Sequence, residues 1–181
     1  DQPRTVRIRS SRHGPLLSDV DQRLQQISAS RADLNATQYA VALSWTALQP
    51  GRSMDALLAI DHAQNFEEFR GAASLLSAPS QNLIYADTDG NIGYQLAGSV
   101  PQRRNGNGTR PSPGWDATYD WRGTIPFAKA PYVYNPPSGF LVAANQQVIG
   151  AQYPYPLGSG FSYGWRSQEI IDTLRDAPLL T

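Results

Sequence analysis

A chain of 181 residues that is 40% hydrophobic and 17% charged can bury a core as one domain, or form a large part of a bigger one. Fifteen basic residues against fifteen acidic ones leave no net charge, which removes the electrostatic case for nucleic acid or an anionic membrane as partner. With no cysteine, disulfides, thiol catalysis and Cys-based zinc sites are excluded together, while cytoplasm and periplasm stay equally open.

In chain order, the first fourteen residues are polar and arginine-rich, with no apolar stretch of the secretory kind. A start without Met suggests a processed or excised piece of a longer protein. Arg4 to Ser10 alternates like a half-buried strand, and the turn RHGP (Arg12 to Pro15) leads into a short run from Leu16 to Val20. Tyr39 to Trp45 (YAVALSW) reads as a buried strand. The period then changes to helical. Ser53 is the expected N-cap of a helix carrying Met54, Leu57, Leu58 and Ile60, and Asn65 the cap of a second carrying Phe66, Phe69, Ala72, Ala73 and Leu76. Glu67 and Glu68 fall in the first turn of that second helix, where they suit its dipole and need no catalytic role.

The stretch SQNLIYADTDGNIGYQLAG (Ser80 to Gly98) reads as two strands, Leu83 to Ala86 and Asn91 to Leu96, joined at Asp87, Thr88, Asp89 and Gly90. Asp-Gly supplies the positive φ angles of a tight hairpin turn. An EF-hand reading of the same loop fails, because the twelfth position from Asp87 is Gly98 rather than a bidentate Glu. A strand followed by Asp-x-Asp-Gly also resembles the first motif of the haloacid dehalogenases. That family needs a downstream Lys and a later acidic pair for magnesium, and here the single lysine, Lys129, is followed by no paired carboxylates.

Asn105 to Gly114 is a Gly- and Pro-rich loop without the Gly-Lys-Ser/Thr ending of a phosphate loop. Pro131 to Pro137 reads as a turn-rich linker leading into a strand from Phe140 to Ala144. Trp165 to Leu174 reads as a closing helix capped near Ser162. No apolar run approaches the ~20 residues of a membrane-spanning helix, and no internal repeat is visible. Two histidines, His13 and His62, make neither a zinc site nor a triad without partners. Nine Tyr and four Trp suit the packing of an irregular β structure better than a sugar platform.

The order of segments is more specific than any one of them. ALSWT (Ala42 to Thr46), MDALL (Met54 to Leu58), NFEEF (Asn65 to Phe69), APSQN (Ala78 to Asn82), YADTDGNIGY (Tyr85 to Tyr94), PGWD (Pro113 to Asp116), YDW (Tyr119 to Trp121), IPF (Ile125 to Phe127) and NPPSG (Asn135 to Gly139) together resemble the penicillin acylase family of N-terminal nucleophile hydrolases. The resemblance runs from the RHGP turn onward. It implies an α+β fold, part of an αββα sandwich with antiparallel sheets and β-hairpin insertions, with residues 1–181 one fragment of the larger subunit's catalytic domain. It also implies a precursor that cuts itself, the new N-terminal Ser of the larger subunit then acting as nucleophile with its own amine as base. Nothing near Asp1 resembles that segment, so the 181 residues alone are expected to hydrolyse no amide.

By the resemblance, Asn82 donates its side-chain N–H to the oxyanion, Arg103 lies near the nucleophile, with the adjacent Arg104 able to exchange roles with it, and Leu16 corresponds to an apolar position of the acyl pocket. No metal ligand or required cofactor is assigned; structural calcium is common in the family, with no ligands identifiable here. The expected partners are the remainder of the precursor and a small amide substrate (a β-lactam, an acyl-homoserine lactone or a related amide), in the periplasm or outside the cell. An excised piece is expected to expose apolar surface and to self-associate. The other reading left open is a non-catalytic β-rich module that binds carbohydrate through exposed aromatic rings.

Overall fold

The computed structural model describes Thr5, residues 8–29 and residues 39–177. A two-residue ladder of β1 (Ser10–Ser11) and β2 (Gly14–Pro15) opens the described chain. A 3-10 turn at Leu17–Asp19 and helix α1 (Gln22–Ala29) follow. Helices α2 (Ser53–His62) and α3 (Phe66–Ala73) precede a hairpin of β3 (Gln81–Ala86) and β4 (Ile92–Ala97). Strands β5 (Pro101–Arg103) and β6 (Trp121–Thr124) pair with each other, β7 (Tyr132–Tyr134) joins the free edge of β4, and α4 (Trp165–Asp176) comes last. Every pairing among these strands is antiparallel. No described helix is long and apolar enough to cross a membrane.

Helix α3 begins where its sequence says it should. Asn65 Oδ1 accepts the Glu68 backbone N–H at 2.9 Å, while the Glu68 carboxylate accepts from the Gln64 N–H and from Asn65 Nδ2, each at 2.9 Å. This reciprocal box satisfies donors that the first turn leaves without helical partners. Asn65→Ala is expected to lower stability by about 1 kcal/mol, read from the denaturation midpoint; an unchanged midpoint would show that the cap contributes nothing.

The buried side of α3 meets one face of the hairpin. Phe66 and Phe69 pack on Tyr85, and Ala73 and Leu76 pack with Ala56 and Ala97, with Leu83 touching both groups. Gly93 is required there, because a Cβ at that position would stand 2.3 Å from the Phe66 ring. Tyr134 of β7, paired with Gly93, stacks on Phe66, ring centroids 4.7 Å apart. Arg70 then bridges helix and sheet: its guanidinium carbon lies 3.8 Å from the Tyr132 ring centroid, and its Nε donates to Oε1 of the fully buried Gln95 at 2.9 Å. Alternation leaves Asn82, Ile84, Tyr94 and Leu96 together on the opposite face of the hairpin.

Several sequence expectations are corrected. Ser53 is the first helical residue of α2 rather than its cap, and Arg52 in the cap position makes no side-chain capping bond. The Ser53 hydroxyl instead donates to the Ala78 carbonyl (3.0 Å) and accepts from the Ser77 and Ala78 N–H groups. Tyr39 to Trp45 is not a buried strand: only Ala42 bridges, to Leu16, and Trp45 is exposed. An extended segment needs a partner edge to become a strand, and there it finds one residue of one.

The segment read as a linker from Pro131 to Pro137 contains β7, because Tyr132, Val133 and Tyr134 match the open edge of β4 before Pro136 stops the ladder. Phe140 to Ala144 forms no strand. The Gln146 side chain accepts the Ala144 N–H and donates to the Val142 carbonyl, replacing ladder bonds with local ones. Of Ser162 and the turn residues near it, Gly164, in a left-handed conformation, takes the cap position of helix α4. Leu16 to Val20 winds into the 3-10 turn, and most of the strand expected from Arg4 to Ser10 lies outside the described residues.

Candidate active site

Asn82 stands exposed on β3 opposite Leu96. The chain leading into it is held on both sides. The Ser99 N–H donates to the Ser77 carbonyl at 2.7 Å, and the Ser53 hydroxyl anchors Ser77 and Ala78. Gly98 has φ +108°, and a Cβ there would come 2.5 Å from the Ser80 Cα, so only glycine lets the end of β4 approach this closely. The Tyr94 hydroxyl donates to Asn82 Oδ1 at 2.6 Å, and Nδ2 makes no hydrogen bond among the described residues. A neutral amide with its carbonyl taken and its two N–H groups open can donate to an oxygen on which negative charge develops.

The carboxylates of the hairpin turn are not comparably placed. Asp87 Oδ1 accepts the backbone N–H of Asp89 (3.0 Å) and of Asn91 (2.9 Å), and Oδ2 accepts the Tyr85 hydroxyl (2.9 Å) and Asn91 Nδ2 (2.9 Å). These bonds, the one from the Asn91 side chain foremost, hold the Asp87 carboxyl below its usual range. Burial pushes the Tyr85 phenol up to about 12, with the bond to Asp87 adding to it. Asn135, at φ +45°, extends the clamp by accepting the Ile92 N–H and donating to Asn91 Oδ1. With its lone pairs committed to the turn, Asp87 has none aimed outward for a nucleophilic or metal-binding role. Among the described residues no three His, Asp or Glu side chains gather as a metal-binding group.

Arg103 is half-buried on β5, its guanidinium carbon 5.6 Å from the Trp121 ring centroid. The head lies 2.9 Å from where a Gly108 Cβ would sit, and it forms no hydrogen bond or ion pair among the described residues. Its charge is therefore oriented by the ring and the glycine and left open to a partner. Arg104 lies beyond the strand and is exposed, which distinguishes two positions that the sequence alone leaves interchangeable. No hydrogen bond joins Asn82 to Arg103.

Leu16 is half-buried in its bridge to Ala42, with its N–H on the Arg9 carbonyl at 3.0 Å. It lines neither a cavity of about 380 Å³ between Gln147 and Phe161 nor a second of about 170 Å³ walled by Leu96, Gly98, Ile125 and Phe127. The second cavity includes the residue opposite Asn82. His13 has a structural bond: Nε2 sits 3.0 Å from Asp120 Oδ1, and Arg12 donates to Asp120 Oδ2 (2.7 Å) and to the Gly114 carbonyl (2.9 Å). The His13 bond, and then Arg12, hold Asp120 below the usual carboxylate range. The His13 ring bonds no hydroxyl among the described residues, so it forms no Ser-His-Asp relay. His62 is exposed at the end of α2.

The contact that sequence reasoning missed is Tyr94 with Asn82. Its signal was present, since once the hairpin register is set the two residues lie diagonally on one face.

Comparison with known proteins gives a consistent picture. The sequence matches the family described as penicillin amidase over residues 1–181. It is 36% identical over 167 residues to the acyl-homoserine lactone acylase QuiP of Pseudomonas fluorescens, covering 92% of this chain and 19% of that protein. It is 37% identical over 153 residues to the penicillin G acylase of Escherichia coli, covering 80% of this chain and 17% of that protein. Among solved structures, the thermostable penicillin G acylase from Alcaligenes faecalis superimposes with a TM-score of 0.67 at 28% identity, covering 96% of this chain and 29% of that one. The chain thus spans about a fifth of the length of the curated relatives it matches.

Proposed function

Because the chain belongs to the penicillin amidase family, we propose that it is part of an acylase that cleaves the amide of an acyl-homoserine lactone, a β-lactam or a related compound, and that Asn82 supplies the oxyanion donor. The observation that carries this reading is the Asn82 amide, whose Nδ2 is open while Oδ1 is bonded to Tyr94. In the proposed mechanism the N-terminal residue of the larger subunit attacks the acyl carbonyl, its own amine taking the proton. The carbonyl oxygen gains charge as the tetrahedral intermediate forms. The Asn82 N–H then donates to that oxygen more strongly than to the neutral carbonyl, which lowers the barrier rather than the substrate affinity.

Arg103 orients the nucleophilic residue and neighbouring carbonyls, a role suited to a permanent charge held against Trp121. Leu16 is assigned to the acyl pocket on the family resemblance alone. The same reading makes residues 1–181 one portion of a self-cleaving precursor acting in the periplasm or outside the cell, with the rest of that precursor covering exposed apolar side chains such as Met54, Leu58 and Ile84. Family membership favours this over a carbohydrate-binding module. The one described aromatic contact of Trp115, with Tyr39, is edge-on and builds no flat platform.

The test is acyl release from an acyl-homoserine lactone and from penicillin G by the full-length, processed enzyme, with subunit masses checked first. Arg103→Ala should then reduce kcat roughly 10- to 100-fold, the range of a lost charged hydrogen bond. A correctly processed enzyme that releases neither acyl group, nor that of any simple N-acyl amide, overturns the acylase reading. Wild-type kcat in Arg103→Ala removes the arginine from it.

A further inference from the structure

We propose that Tyr94 is a positioning residue for the oxyanion donor: its hydroxyl fixes which end of the Asn82 amide faces the substrate. The inference rests on the role assigned to Asn82 above and goes beyond it. A side-chain amide on an exposed strand can rotate to present either oxygen or nitrogen, and only one of the two stabilises an oxyanion; an oxygen turned outward would repel it. The ring that decides between them is itself packed in, since Tyr94 is 7% exposed while Asn82 is exposed. The separation of 2.6 Å is that of an O–H donor on a carbonyl oxygen and is short for an N–H on a phenol oxygen.

Two further observations and one physical argument agree. Burial pushes the Tyr94 phenol up to about 12, so the proton that makes the bond stays in place across the working pH range. Tyr94 pairs with Ile84 and with Val133 of β7, so its backbone is fixed from both sides of the ladder. A hydroxyl donating to Oδ1 also draws charge from the amide, which makes its N–H groups better donors to the developing oxyanion. No other described side chain bonds Asn82.

The experiment uses the full-length, processed enzyme and compares Tyr94→Phe, Asn82→Ala and the double variant. Tyr94→Phe removes one oxygen and keeps the ring. Its kcat is expected to fall about tenfold with KM within about twofold, since an amide free to turn is misoriented mainly for the transition state. In the Asn82→Ala background the same change should alter kcat by less than about twofold, because the group it positions is gone. A hydroxyl that matters only for the packing or stability of the strand would give the same loss in both backgrounds, and that result overturns the proposal.

Wild-type kcat in Tyr94→Phe, with Asn82→Ala strongly impaired, sinks the positioning role and leaves the oxyanion role standing. Wild-type kcat in Asn82→Ala removes both. If Tyr94→Phe is not processed, 4-aminophenylalanine at position 94 keeps the ring and an N–H donor. Processing with kcat within about fivefold of wild type supports the proposal, and a loss as deep as that of Asn82→Ala overturns it.

Discussion

Asn82→Ala in the processed enzyme is expected to lower kcat by roughly 10² to 10³ and to leave KM within about twofold. The size follows from what the bond does. A preorganised neutral donor contributes about 3 to 4 kcal/mol at the point where an oxyanion forms, and little before, because the ground-state carbonyl carries only a partial charge. The structure makes the donor cheap to use: the strand beneath it is pinned by Ser53 at Ser77 and Ala78, and the close approach of Gly98 to Ser80 sets its end. Little reorganisation is left for the moment of reaction. The precursor's own cleavage passes through a similar intermediate in this scheme, so subunit masses are measured before kinetics. A fully processed Asn82→Ala enzyme with wild-type kcat would remove Asn82 from the chemistry. It would not return the role to Asp87, whose carboxylate oxygens are already bonded within the turn.

Phe66→Ala is expected to be the most destabilising single truncation in the described core, at about 3 to 5 kcal/mol. The ring is 5% exposed and lies within 6.1 Å, centroid to centroid, of Phe69, Tyr85 and Tyr134. It also fills the space over Gly93, where a Cβ would stand 2.3 Å from the ring. Truncation therefore loses transfer free energy and leaves a cavity bounded by a helix and three strands, and α3 cannot follow inward while Arg70 holds it to Gln95 and Tyr132. The measurement is the denaturation midpoint at constant slope. A shift worth less than about 1 kcal/mol would mean that the site collapses freely and that the hairpin is not seated on this ring. The proposed site at Asn82 is on the other face of the same two strands, so the variant also asks whether Asn82 depends on that seat; residual kcat measured below the midpoint gives the answer.

The elements that were legible in the sequence are those whose partners lie a few residues away. Asn65 and Glu68 complete a capping box within one helical turn, and Asp87 to Gly90 closes a hairpin through bonds that span four residues. The order of nine short motifs was enough to assign the family and to single out Asn82 and Arg103 as residues to examine. What the sequence could not decide was which edges would find partners. Tyr132 to Tyr134 became a strand because the hairpin left β4 open on one side, whereas Phe140 to Ala144 and Tyr39 to Trp45, with comparable residues, met no such edge and were satisfied by Gln146 or by a single bridge.

The same distinction runs through the site. Residue types place an amide at position 82 and a carboxylate at position 87; the four groups that bond the carboxylate lie within four residues of it, but only the folded register brings the Tyr94 hydroxyl to the amide. Composition, turn chemistry and helix caps are settled by local free energy. The direction in which a donor points is settled by side chains that meet across strands, and that geometry exists only once the hairpin has closed and been seated on its helix.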